Sequence, residues 1–266
     1  MNLNLIMNVS YKKVRSKLKS VGLINLIYLC LKYPLYRVKR RLKWYFILNK
    51  DTDKVFTTIF KKNIWSSSES KSGSGSEKHY TENLRSWLIE NIPKYKIRTI
   101  VDSPCGDFNW MRYVLPHVSV NYLGCDIVDE LVKINIDKYS SKNITFKKLN
   151  IIEETIPDCD LLIVRDCLFH FSYQDINRFL ENIKTTNYKY LLTTSHIVNQ
   201  DFKNSNIKTG EFRIINLLIP PFNFNENNIL DIVKDYPEGH KRPKNMLLIK
   251  KEFIPKNISF PTTQEH

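Results

Sequence analysis

Glycine is scarce in this chain, with seven residues in 266. Between Asp102 and Trp110, where a short apolar run opens into a turn, Gly106 stands alone. A dinucleotide-binding turn uses three glycines, to turn tightly, to admit a pyrophosphate against backbone and to pack the next helix. With Pro104 and Phe108 at the outer positions, that cradle is missing, and a Rossmann oxidoreductase becomes the last of the alternatives. Cysteine is sparse too. Cys30, Cys105, Cys125, Cys159 and Cys167 have no metal-ligand spacing, and no His/Cys/acid cluster supplies one, so no metal is expected. Their odd number, with no secretory signal, argues against a disulfide scaffold and for reduced thiols in a cytoplasmic setting. Long apolar runs are also lacking. Residues 21–31 are mostly apolar, but a bilayer-spanning helix needs about 20 residues.

Acids are nearly absent from the first 62 residues, which hold 15 Lys/Arg against Asp51 and Asp53 alone. The other 204 residues hold 26 Lys/Arg against 25 acids, so the basic character belongs to an N-terminal extension. A nearly neutral remainder argues against broad nucleic-acid binding by that part. Residues 11–20 and 36–48 mix cations with apolar and aromatic residues around the 21–31 run. Three readings of this mostly helical extension stay open. The first is an interfacial helix at the inner face of an anionic membrane. The second is a cap on its own domain or on the partner of a homodimer. Nucleic acid comes third. Residues 63–80, rich in Ser and Gly, form a linker or lid, residues 81–254 the main domain, and 255–266 a tail.

The main domain alternates strand and helix patterns. Strand-like runs at 99–102, 122–126, 144–149, 160–164 and 188–194 alternate with helical patterns at 81–92, after residue 106, at 127–139 and at 173–184. Residues 229–234 and 245–253 read as a closing hairpin. The expected fold is α/β: a Rossmann-like, doubly wound sheet of seven strands, mostly parallel, with ligands at the strand tips. The first run ends at Asp102 and the second at Asp126, where a carboxylate can accept hydrogen bonds from both hydroxyls of a ribose.

The segment Asp102-Ser-Pro-Cys-Gly-Asp107, followed by Tyr122-Leu-Gly-Cys-Asp126, resembles motifs I and II of the class I S-adenosylmethionine-dependent methyltransferases. The usual acid-x-Gly-x-Gly-x-Gly loop is matched at Asp102 and Gly106. The resemblance implies an antiparallel last strand and S-adenosylmethionine as cofactor, held by Asp102, Pro104, Cys105, Gly106, Asp107, Trp110, Asp126 and Ile127. It gives Asn150 and Ile151 the adenine, Arg165 the methionine portion through its backbone, and Asp107 the ammonium group. Asp107 also reads as a carboxylate at the start of a helix. The Ser/Gly segment would fold over the cofactor, with Trp65 and Tyr80 as aromatic walls and Gly73 and Gly75 allowing close approach.

His170 and His196, at neighbouring strand tips, are candidate bases or substrate orienters, with Asp166 third and a salt bridge or cap as its alternative. The segment 197–224 reads as a substrate-binding insertion or a structural crossover, with Arg213 for an anionic group and Phe222 as an apolar wall. Its Pro220-Pro-Phe222 sits after the fifth strand, not the fourth, so it does not match the motif of amino-directed nucleic-acid methyltransferases. The resemblance to small bacterial enzymes of polysaccharide pathways implies O-methylation of a sugar hydroxyl on a small-molecule or glycan acceptor. An RNA methyltransferase and a cofactor-binding scaffold without turnover remain the alternatives.

Overall fold

A computed structural model describes residues 47–65, 67–255, 258 and 260. The apolar run 21–31, its basic flanks at 11–20 and 36–46, Cys30, and the tail residues 256–257, 259 and 261–266 lie outside the described residues. The chain divides into a unit of residues 1–49 and a unit of Lys50–His266, and the second holds the sheet. Among the described residues, no helix is long and apolar enough to cross a membrane.

Seven strands form one sheet: β1 (Thr99–Asp102), β2 (Asn121–Asp126), β3 (Ile144–Lys148), β4 (Cys159–Val164), β5 (Tyr188–His196), β6 (Ile229–Lys234) and β7 (Lys244–Lys250), in the order β3-β2-β1-β4-β5-β7-β6. Pairings from β3 through β5 are parallel, while β7 runs antiparallel to both β5 and β6. The expected hairpin is therefore present, with its last strand inserted between β5 and β6. The central strand β4 is buried along most of its length, Leu161 to Val164 at 0% exposure, as a parallel strand covered on both faces must be.

Among the described residues of this unit four α-helices form: α1 (Thr52–Lys61), α2 (Glu82–Lys94), α3 (Asp129–Tyr139) and α4 (Tyr173–Thr185). The last buries Tyr173, Ile176, Phe179, Leu180 and Ile183, one face of a 3.6-residue period, and Ser172 caps it by accepting from the Asp175 N–H at 3.1 Å. Leu84, Leu88 and Ile92 of α2 join a separate apolar layer with Ile100, Tyr122 and Leu248. The sheet is thus sandwiched.

Sequence and structure part after β1. The helical pattern expected there is instead two single 3-10 turns, Met111–Tyr113 and Leu115–His117. Gly106 and Phe108 both take φ of +57°, and Pro116 offers no N–H, so a continuous α-helix cannot form. Two boundaries shift as well. β5 runs on through Ser195 and His196, and a 3-10 turn at Lys251–Phe253 follows the shorter β7.

Candidate active site

Strand order reverses between β1 and β4, and a cavity opens at the carboxyl ends of these strands. One wall is the turn Ser103-Pro-Cys-Gly106, anchored by Ser103 N–H to Ile163 O at 2.9 Å and Cys105 N–H to Cys125 O at 2.7 Å. Asp126, at the tip of β2, accepts from Gly106 N–H at 3.1 Å and from Val128 N–H at 3.0 Å. Burial pushes its carboxyl up to about 6, against the pull of these backbone donors. Ile127, Leu131, Leu149 and Ile151 supply an apolar surface beside it, with Asn150 at the edge.

The Ser/Gly segment folds onto this turn. Both oxygens of Asp107 accept from the Ser70 hydroxyl at 3.0 Å, and one accepts from Lys71 N–H at 2.8 Å. Asp107 N–H returns a bond to Ser72 Oγ at 2.9 Å, and Asn109 Nδ2 donates to Ser76 O at 2.9 Å. Arg165 Nη2 donates to Gly75 O at 2.6 Å. Gly75 needs its missing side chain: a Cβ there would stand 2.8 Å from Asp166 Oδ2. Lys71, Ser72 and Ser76 become part of the cavity wall.

Beneath the lid lies a buried charge network. Arg165 pairs with Asp235 at 2.9 Å, Lys244 reaches Asp235 at 3.1 Å, and Asp166 bonds Lys244. Its two cations and two acids balance. The Arg165 guanidinium also lies 5.3 Å from the centre of the Trp110 ring. Burial alone would raise the Asp166 carboxyl, but Arg165 and Lys244 outweigh it and hold the group well below the usual carboxylate range. Asp166 is engaged by both cations, which favours its salt-bridge role over that of a base.

The two histidines differ. His170 lines the cavity, stacks on Trp65 (centroids 4.5 Å, planes 23° apart), and places Nδ1 2.7 Å from Glu211 O. A carbonyl only accepts, so Nδ1 carries the proton and Nε2 keeps its lone pair. Burial pulls the imidazole down to about 4, so it stays neutral near pH 7. His196 is 4% exposed, pairs with Lys244 as the last rung of β5 and β7, and lies against Phe169. Its Nδ1 is held between the backbone N–H and O of Ile215, and it does not line the cavity.

Of the other residues singled out by sequence, Trp65, Pro104, Cys105, Gly106, Trp110, Asp126, Ile127, Asn150, Ile151, Arg165 and Asp166 line the cavity with His170. Asp102 sits behind the turn, bonded by Tyr122 OH at 2.8 Å, its other oxygen buried without a partner. Asp107 faces the lid. Because no α-helix follows the turn, it caps no helix either. Tyr80 packs on His240 and Lys244. Phe222 is 1% exposed between Tyr173 and Phe260, a core residue because the insertion folds back over α4. Arg213 is 5% exposed, lies over the Tyr173 ring at 5.1 Å, and leaves Nε and Nη1 unpaired.

Sequence reasoning passed over Thr52, Phe56 and Phe60 of α1, which also line the cavity. Their spacing of four was the available signal, one stripe of a helix. Asp235 and Lys244 gave none, since only the β6–β7 hairpin brings them to Arg165.

No family model matches the sequence, and no curated protein matches it. Solved structures match the architecture. Magnesium protoporphyrin IX methyltransferase (ChlM) from Synechocystis PCC 6803 with bound SAM aligns with a TM-score of 0.50 at 10% identity, covering 76% of this chain and 97% of that one. PigF with SAH aligns with a TM-score of 0.50 at 11% identity, covering 78% and 62%. The chain has the class I methyltransferase fold. In this methyltransferase fold, the cavity described above lies where the sheet's strand order turns back.

Proposed function

We propose that this chain is an S-adenosylmethionine-dependent methyltransferase acting on a sugar hydroxyl of a small-molecule or glycan acceptor. The observation that carries the reading is Asp126, a carboxylate fixed by two backbone N–H groups at a cavity whose adjoining surface is apolar. That donor set fits a nucleoside. The close seat of Ser72 against Gly106, where a Cβ would stand 2.4 Å from Ser72 Oγ, fits a compact cradle and leaves no room for a wider glycine-rich phosphate loop.

Asp126 would hold the ribose hydroxyls, Ile127, Leu131, Leu149 and Ile151 the adenine faces, and Asn150 its edge. When bound, S-adenosylmethionine supplies an electrophilic methyl group on a sulfonium. The chain's own part is chiefly to position the acceptor for in-line attack, which supplies much of the rate. His170 Nε2, its lone pair left free by the Glu211 contact at Nδ1, would take up the proton of the acceptor hydroxyl. Trp65 stacks on the opposite side of that ring and limits its rotation. The extension is proposed to dock this activity at the inner face of a membrane or on a second copy.

Calorimetric titration of the full chain with S-adenosylmethionine and with its demethylated product tests the cofactor. Micromolar binding lost in Asp126→Ala is expected, and a folded protein that binds neither ligand overturns the assignment.

A further inference from the structure

The anionic partner expected at Arg213 cannot reach it, because that guanidinium is buried under Tyr173. A second arginine is exposed near the aromatic neighbours of His170. Phe212, 43% exposed, sets its ring 6.0 Å from His170 and 5.3 Å from Phe169. The guanidinium of Arg242, from the β6–β7 loop, lies over that ring at 4.9 Å. Aromatic stacking fixes the guanidinium plane while leaving its N–H edge free. Among the described residues Arg242 has no carboxylate partner, and neither has Lys241 beside it. Glu211, next to Phe212, spends one oxygen on the Lys208 N–H. Both cations are exposed, and Arg242 is linked to the proposed base through the Phe212 ring.

We infer that Phe212 and Arg242 form an acceptor subsite for a phosphorylated sugar, the ring of Phe212 taking an apolar sugar face and the Arg242 fork taking the phosphate. The subsite rests on the methyltransferase reading, since it places a sugar hydroxyl toward His170. A guanidinium fork matches two phosphate oxygens at once, which gives direction as well as charge. Phe212 links the imidazole, 6.0 Å from its ring centre, to the guanidinium, 4.9 Å from it. A free sugar phosphate, a nucleotide-linked sugar and a lipid-linked sugar share this chemistry.

The test uses the full chain saturated with S-adenosylhomocysteine, titrated with glucose 1-phosphate, inorganic phosphate, UDP-glucose and glucose. The phosphate-bearing probes should bind at least tenfold tighter than glucose. Arg242→Ala should remove that difference, Arg242→Lys should restore part of it, and neither should alter S-adenosylhomocysteine affinity or Tm. Tighter binding of UDP-glucose than of glucose 1-phosphate would point to a nucleotide-linked acceptor, the reverse to a simple or lipid-linked one, and both uphold the subsite. Failure of all phosphate-bearing probes, or Arg242→Ala without effect, overturns it. So does a single-stranded RNA that displaces glucose 1-phosphate and weakens steeply with salt. If S-adenosylhomocysteine itself does not bind, the cofactor reading fails instead, and phosphate binding by the unliganded chain still decides the subsite.

Discussion

Asp126 must meet two opposed demands. Burial favours its neutral form, while the ribose hydroxyls of the proposed cofactor would find acceptors best when it is ionised. With its carboxyl near 6, kcat/KM for S-adenosylmethionine should fall as pH drops below about 6, because that ratio reports the free enzyme's groups. The contribution of the buried acids to stability moves the other way. Asp126 and Asp102, the latter raised by burial to about 7, both sit above their unfolded values, so the folded chain binds protons more readily than the unfolded one. Their destabilising effect is full above about pH 7 and fades as pH falls toward about 4. Calorimetry between pH 7 and 5 should thus show cofactor affinity falling as Asp126 takes up a proton, and an affinity independent of pH would contradict the assignment. His170 and His196, pulled down by burial from 6.5 to about 4, bind fewer protons folded than unfolded in that interval, so they cost stability as pH falls and oppose the two acids. His170→Ala should lower kcat by about 10²-fold or more while changing cofactor affinity far less. Equal losses in the two would make it a structural residue.

The lid, the motif turn and the β6–β7 hairpin act as one assembly. Gly75 is the tightest joint, since its carbonyl takes Arg165 and a Cβ would press on Asp166. Asp166 cannot swing aside without leaving Lys244 and Arg165. Gly75→Ala should therefore lift the lid and weaken S-adenosylhomocysteine at least tenfold by calorimetry, with a small change in Tm. Much of the surrounding fold was legible in the sequence: α4 and β4 announce themselves through an apolar stripe and an apolar run. Asp126 was legible too, because strand end and carboxylate coincide. The Asp235–Lys244 network was not, as ion pairs between distant segments leave no local period. The turn after β1 misled for a related reason, because positive φ at Phe108, a non-glycine residue, has no sequence signature.

At the scale of the molecule, the basic extension and the sheet unit do not divide where charge suggests. Composition puts the boundary at residue 62, yet α1 folds in the Lys50–His266 unit, burying Val55 and Ile59 and turning Thr52, Phe56 and Phe60 to the cavity. Each buried Val or Ile side chain is worth about 1.5–3 kcal/mol. A chain starting at Lys50 should keep full-length Tm and S-adenosylhomocysteine affinity. One starting at Asn63 should lose about tenfold or more in affinity and melt earlier, as scanning calorimetry and titration would show.

The bonds that close the lid also set a tempo. In the proposed reaction Ser70 and Lys71 on Asp107, Ser76 on Asn109 and Gly75 on Arg165 would part before a spent cofactor leaves and a fresh one enters. Methyl transfer need break none of them. Rapid-quench measurements should then show a burst of one methylated product per chain, followed by a slower steady rate that Gly75→Ala accelerates.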